Sequence, residues 1–466
     1  MNQGASTHPL SPLLHTPELS TDISTGTYLD HSGATIYARS TIHRTTDRLL
    51  TNLYGNPHSA NHPAQLSGDT VDAVRLQTLR FLGADPAHFD LVFTANATAA
   101  IKLVADAFRD LAERTRTGSF WYGYHREAHT SLVGVRELVG PARRDQHQHQ
   151  HHQYQPREQH RCFEGDAEVE AWLRGDDDPS SSGRVSSLGL FAYPGQSNLT
   201  GRRLPLSWAG RVRSAGRGRL RPDLRDTYTL LDAAALAMTS PMAGVFADPD
   251  AAPDFVCLSF YKIFGFPDLG GLVVRRESGH ILALRKYFGG GTVSMVSTVG
   301  GAWHMSKALE SGGGAAGGAA EDEQHGGAAL HEGLEDGTLP FHSIMALGEA
   351  MDVHAELYGP MANVSAHTTA LVRRMYLGMR ALRYANGHPV CKIYEEEGED
   401  DDTGYGDAER QGATVAFNVF RADGGYESYA TVERMANERG VYVRSGGKSY
   451  VMFLFGFLEK GRARSC

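Results

Sequence analysis

Apolar residues in this chain come in short runs separated by helical stripes. Leu91, Val92 and Phe93 form one such run, and beyond Thr94 the apolar positions Ala97, Ile101, Val104 and Phe108 recur at spacings of 4, 3 and 4. That pattern is a buried strand followed by an amphipathic helix. Further strand-like runs occupy residues 119–124, 188–193, 228–231, 255–258 and 272–274. Short, nearly continuous apolar strands alternating with helices predict an α/β fold, with a mostly parallel central sheet flanked by helices on both faces. Ligands of such sheets bind beyond the carboxyl ends of the strands.

The pattern breaks in several places. Residues 1–25, rich in Ser, Thr and Pro without a period, read as a disordered arm, and ordered sequence is expected from residues 27–30. Near 145–160 the chain alternates Gln and His, including His147, His149, His151 and His152, and low-complexity stretches follow near 174–185 and 311–328. An acidic run occupies 395–402. All four read as solvated surface insertions, the histidine tract included, and no metal site is expected. A large cofactor-binding domain is expected over 26–345 and a smaller, incomplete α+β C-terminal domain over 346–449, with an atypical tail at 450–466.

Composition narrows the functional classes. With 45 Lys+Arg against 54 Asp+Glu the formal net charge is −9, which argues against a protein that binds nucleic acid by neutralising phosphates. Four cysteines without a CxxC pair form neither a disulfide framework nor a Cys-rich zinc site, and suit a reducing compartment. The first basic residue is Arg39, so no leader is expected at the N-terminus, and the apolar run 451–458 is shorter than the roughly 18 residues of a membrane span. A soluble cytoplasmic protein with no membrane partner is the expectation.

Two residues carry the candidate chemistry because each closes or follows a buried strand. Asp232 ends the run 228–232 (YTLLD), and Lys262 follows the run 255–261 (FVCLSFY). A carboxylate and an amine delivered to one strand-end crevice are the minimal kit for pyridoxal 5′-phosphate: the amine makes the covalent link, and the acid holds the pyridine nitrogen protonated. Desolvation of the amine favours its neutral, nucleophilic form. From this pair alone the alternative stays open, with Asp232 as a helix cap and Lys262 on the surface. The neighbours add to the first reading. The strand, turn and helix over 93–98 (FTANAT) supply the Ala97 amide and the Thr98 hydroxyl to a phosphate at a helix start. Ser259 and Tyr261 add hydroxyls beside the lysine, and His129 is a candidate to stack on the ring.

Taken together, residues 28–35 (YLDHSGAT), 54–59 (YGNPHS), 93–102 (FTANATAAIK), 129–136 (HTSLVGVR), 230–234 (LLDAA), 259–267 (SFYKIFGFP), 287–292 (YFGGGT) and 335–338 (EDGT) carry a resemblance. The chain resembles the aminotransferase class V group of fold type I pyridoxal phosphate enzymes, and within it the N-terminal cysteine-desulfurase-like domain of the molybdenum cofactor sulfurases. The resemblance implies that Lys262 carries the cofactor and Asp232 pairs with its pyridine nitrogen. It implies that His129 stacks on the ring, and that Ala97, Thr98, Ser259 and Tyr261 hold the phosphate. Asn198 matches an Asn near the cofactor hydroxyl and the substrate carboxylate. Thr292 matches a Thr that reaches the phosphate from a second subunit, which implies a homodimer. The implied reaction is desulfuration of L-cysteine to alanine, through a persulfide on a protein cysteine, with the sulfur passing to the molybdenum cofactor.

The sequence also departs from that group. Ala235 stands where many desulfurases have a Gln three residues after the pyridine-binding Asp. The family places a cysteine loop shortly after a Val/Leu-Arg-Ser/Thr-Gly stretch, here residues 443–446, but the next cysteine is Cys466, and the later arginine strand for the substrate carboxylate has no counterpart. A truncated product, with the persulfide step in doubt, is the expectation. The alternatives are another class V enzyme of the selenocysteine or cysteine lyase kind, or a catalytically impaired scaffold.

Overall fold

The computed structural model describes residues 26–115, 118–139, 159–176, 188–218, 221–301, 303–310, 329–395 and 404–445. The expected arm at 1–25, the histidine tract, the insertion at 311–328, the tail at 450–466 and Cys466 lie outside the described residues.

Strand β1 (Thr27–Tyr28) comes first among the described elements and is followed by helices Arg39–Thr51 and His62–Leu82. The central sheet takes β2 (Phe89–Thr94), β3 (Trp121–His125), β4 (His160–Phe163), β5 (Gly189–Pro194), β6 (Thr227–Asp232), β7 (Phe255–Ser259) and β8 (Gly270–Arg275). Among the described residues these seven strands lie in the order β2-β8-β7-β6-β5-β3-β4. Strand β8 runs antiparallel to both β2 and β7, and every other pairing is parallel. Each of the six apolar runs picked out by pattern is a strand of this sheet.

Strand β4 falls where the pattern suggests loop. It is an edge strand in which only Phe163 is buried, so no apolar run marks it. Just before it, Gln159 is buried, and its carbonyl accepts the Tyr122 amide at 2.9 Å.

Alternate side chains of each strand enter two separate cores. Phe191, Leu231, Val256, Leu258 and Val273 pack on one face, and Leu190, Leu230, Phe255, Cys257 and Leu272 on the other. The second face is covered by helix Ala97–Arg114, whose predicted stripe is buried at Ala97, Ile101, Val104 and Phe108. This double burial explains why the strands read as continuous apolar runs. Asn96 caps that helix by accepting the Ala99 amide at 3.0 Å. Its backbone sits so close to Gly270 that a Cβ there would meet the Asn96 Cα at 2.4 Å, so only glycine lets β8 pass under the turn.

The expected boundary at 345/346 falls inside helix Phe341–Tyr358, which packs on helices His62–Leu82 and Arg39–Thr51. Helix Met361–Ala381 follows, then the antiparallel pair β11 (Cys391–Tyr394) and β12 (Ala416–Val419), then helix Tyr429–Asn437. Strand β13 (Val441–Tyr442) returns to pair in parallel with β1, Thr27 opposite Val441. A separate hairpin, β9 (Val293–Val296) with β10 (His304–Ser306), leaves the body after β8.

Candidate active site

Parallel neighbours β6 and β7 end side by side, Asp232 opposite Cys257 in the register. The chain then turns from Ser259 into the short helix Tyr261–Phe264, which carries Lys262. Asp232 is buried at 7% exposure, and its Oδ1 accepts the Ala234 amide at 3.0 Å. Burial drives the Lys262 ammonium below its ordinary pKa; the Asp232 carboxylate pulls it back up, and the Arg444 guanidinium pushes it further down. The Asp232 charge thus acts on the Lys262 amine. The Cys257 thiol, buried and hydrogen-bonded to Asp232, is pushed well above its ordinary range and is inert.

His129 belongs to the same group. Its pKa is lowered by burial, raised by Asp232, and lowered by Lys262 and Arg444. Its Nδ1 accepts the Ser131 amide at 3.2 Å, which leaves the proton on Nε2 when the ring is neutral. A chain of hydroxyls then leads from His129 to the helix start. Ser131 Oγ lies 2.9 Å from His129 Nδ1 and 2.8 Å from Thr98 Oγ1. Ala97, one turn position earlier, donates its amide to the buried Ser259 hydroxyl at 3.1 Å. The helix-start amide and the hydroxyls of Thr98 and Ser259 therefore gather as a phosphate would need them. Tyr261 adjoins Lys262, and its carbonyl accepts the Thr35 amide at 3.3 Å.

A cavity of about 1460 Å³ opens beside this group, with Lys262, Asn198, Asp30, Arg126, Arg202 and Arg444 in its wall. Asp232, His129, Ala97, Thr98, Ser259, Tyr261 and Thr292 are not among the wall residues. Thr292 stands apart from the rest. Its hydroxyl is fully buried and donates to the Gly289 carbonyl at 2.8 Å, and no hydrogen bond among the described residues joins it to Lys262, Asp232 or Ser259. The loop that carries it meets two other motifs: the Gly289 amide donates to Asp336 at 2.7 Å, and His58 Nε2 lies 3.3 Å from the Gly337 carbonyl.

Sequence reasoning missed Arg444 and Asp30 as site residues. They come together because β13 pairs with β1, and Arg444 Nη1 stands 3.9 Å from Asp30 Oδ1. Arg444, within stretch 443–446, brings a guanidinium to the cavity wall. Ser131 was missed as well, although it sits inside the quoted run 129–136. A buried carboxylate, a desolvated amine, an oriented imidazole and a helix-start cluster of amide and hydroxyls together fit pyridoxal phosphate. Among the described residues no group of three or more His, Cys, Asp or Glu is placed to hold a metal ion.

The comparisons with known proteins agree with this architecture. The family model for aminotransferase class-V matches residues 27–129. A cysteine desulfurase from Thermococcus onnurineus superposes with a TM-score of 0.61 at 15% identity, covering 94% of this chain and 90% of that one. The cysteine desulfurase CsdA of Escherichia coli gives 0.61 at 17%, covering 96% and 91%. At such identities these likenesses carry the fold alone, which is that of the class V fold type I enzymes. Among curated proteins, the molybdenum cofactor sulfurase of Aspergillus niger is 49% identical over 421 residues, and that of Botryotinia fuckeliana 46% over 420. Each match takes in 90% of this chain but only 44% and 45% of those relatives. The chain is similar to the aminotransferase class V group over residues 27–129. Over the part that it spans, less than half their length, it is homologous to the molybdenum cofactor sulfurases.

Proposed function

We propose that this chain binds pyridoxal 5′-phosphate and desulfurates L-cysteine, yielding alanine and a sulfur destined for the molybdenum cofactor or its carrier. The observation that carries the reading is the delivery of Lys262 and the buried carboxylate of Asp232 to adjacent strand ends, where the carboxylate's charge acts on the amine. When bound, the cofactor supplies an electron sink for the carbanion that forms at the substrate Cα. Lys262 Nζ, kept basic in its neutral form by desolvation, holds the cofactor and takes the proton from that Cα. Asp232 keeps the pyridine nitrogen protonated. His129, with its tautomer set by the Ser131 amide, would stack on the ring. The Ala97 amide and the hydroxyls of Thr98, Ser259 and Tyr261 hold the phosphate. Arg444 and Asn198, both on the cavity wall, receive the substrate carboxylate.

The assembly in this reading is a homodimer in which Thr292 reaches the phosphate of the second copy. Leu50 and Leu53, apolar and 79% and 74% exposed, support an interface with a second copy. The cysteine content supports a cytoplasmic setting, and no helix among the described residues is long and apolar enough to cross a membrane.

The test is product analysis. Protein loaded with pyridoxal phosphate and given L-cysteine with a thiol acceptor is expected to release alanine, and Lys262→Ala to release none. Pyruvate and free sulfide in place of alanine would reassign the chain to the cysteine lyases. Absence of any product from loaded protein would leave the scaffold reading standing.

A further inference from the structure

Two loops reach the cavity wall, one leaving β3 and carrying Glu127 and His129, the other leaving the adjacent parallel strand β5 and carrying Asn198. Glu127 and Asn198 line the cavity. Nothing in the pyridoxal chemistry explains how these loops keep their spacing. Ser197 is fully buried, and its hydroxyl accepts the amides of Leu199 at 3.3 Å and Thr200 at 3.2 Å, closing the turn around Asn198. The same hydroxyl donates to Glu127 Oε2 at 2.5 Å. Glu127 lies two residues before His129. Hydrogen bonds to an ionised acceptor are shorter and roughly twice as strong as neutral ones, so this link is stiff.

A second, independent tie joins the same loops. Fully buried His125 accepts the Glu127 amide on Nδ1 at 3.1 Å, and its Nε2 stands 3.3 Å from Asp166 Oδ1. Asp166 in turn takes both Arg202 nitrogens, at 2.8 and 3.0 Å, and Arg202 closes the Asn198 loop. Burial alone would raise the Asp166 carboxyl, but the nearby His125 ring and the Arg202 hydrogen bonds hold it well below the usual carboxylate range.

We propose that Ser197 and Glu127 are positioning residues that hold Asn198 and His129 in fixed relation at the cavity, with Arg202, Asp166 and His125 as the second tie. The inference rests on the reading that this cavity receives pyridoxal phosphate. Because two ties span the loops, removing one loosens the site while the fold survives.

The experiment uses the full chain and its Ser197→Ala, Glu127→Ala, Glu127→Gln and Ser197→Ala/Glu127→Ala variants. Three quantities are read: the Kd for pyridoxal phosphate, the visible circular dichroism of the bound cofactor, and the melting temperature of the cofactor-free protein. Each alanine variant is expected to bind about tenfold more weakly, the cost of one hydrogen bond to a charged group. The double variant is expected to bind no more weakly than Ser197→Ala alone, because that variant already removes the link to Glu127. Visible dichroism falls, melting of the free protein stays put, and Glu127→Gln, which keeps an acceptor oxygen, stays within about threefold of wild type. Alanine variants that bind as wild type, strictly additive losses, or affinity falling in step with melting temperature overturn the positioning role alone. Wild-type protein that takes up no pyridoxal phosphate overturns the cofactor reading and this inference together. Should Ser197→Ala not fold, the contrast between Glu127→Ala and Glu127→Gln decides the matter.

Discussion

The amide of Ala97 and the hydroxyl of Ser259 meet across 3.1 Å, although they lie on different elements, the start of a helix and the end of β7. Both can turn to one phosphate oxygen. Ser259→Ala keeps the helix-start amide but deletes the hydroxyl beside it. Affinity for pyridoxal phosphate is expected to fall about five- to tenfold, the net worth of one hydrogen bond to an anion, with stability little changed. Titration of cofactor-free protein measures it, and an unchanged Kd would remove Ser259 from the phosphate site.

The charges around Lys262 give signed expectations. Burial lowers its pKa from the ordinary 10.5, Asp232 opposes that fall, and Arg444 adds to it. Asp232→Asn should therefore lower the pKa further, and Arg444→Met should raise it. The readout is the rate at which cofactor-free protein captures pyridoxal phosphate as a function of pH. Its rising limb is expected below the pH of a free lysine, moving down in the first variant and up in the second. Shifts of the opposite sign would mean that the two charges do not act on this amine.

The sequence carries much of this site, and the reason is local. Lys262 and Asp232 each follow an apolar run that is buried on both faces of the sheet, so a charge at its end has to lie at the strand-end crevice. Ala97, Thr98 and Ser259 are legible for the same reason, since one helix start and one strand end define them. Arg444 is not. Its approach to Asp30 depends on the pairing of Thr27 with Val441, a contact between the two ends of the described chain that no local pattern encodes. Strand β4 escaped notice because an edge strand with polar His160 and Arg161 lacks the apolar signature of its neighbours. Thr292 illustrates the remaining gap: the position rests on the resemblance, and within one copy of the chain its hydroxyl is buried and bonded to the Gly289 carbonyl.

A buried ion pair fastens the open edge of the sheet. Arg75 and Glu335 side chains are each 5% exposed and bonded twice, at 2.7 and 2.9 Å, and Glu335 Oε1 also accepts the Phe93 amide of edge strand β2 at 2.7 Å. Removing one partner strands the other charge in the interior. Glu335→Gln is expected to destabilise by about 3 kcal/mol, while replacing both partners with apolar residues recovers much of that loss. Denaturant midpoints for the single and double variants provide the check, and a single variant as stable as wild type would show that the pair is dispensable.

His354 makes stability depend on pH. It is 7% exposed on helix Phe341–Tyr358, and the rings of Phe81, Phe264 and Tyr358 surround it. Burial among these rings pushes its pKa from 6.5 down to about 4. The neutral ring is favoured in the folded state, whereas the unfolded chain takes up a proton near pH 6.5. Above that pH neither state is charged and the contribution is whole. Between about pH 6.5 and 4 only the unfolded chain binds the proton, so stability falls as acid is added, and below about 4 the folded protein protonates too and the loss levels off. Two and a half units correspond to about 3 kcal/mol across that window. His354→Phe removes the proton site while keeping an aromatic ring. The difference in unfolding free energy between wild type and variant is expected to be flat above pH 7 and to shift in the variant's favour between pH 6.5 and 4. Parallel curves over that window would place the titration of His354 outside the folding equilibrium.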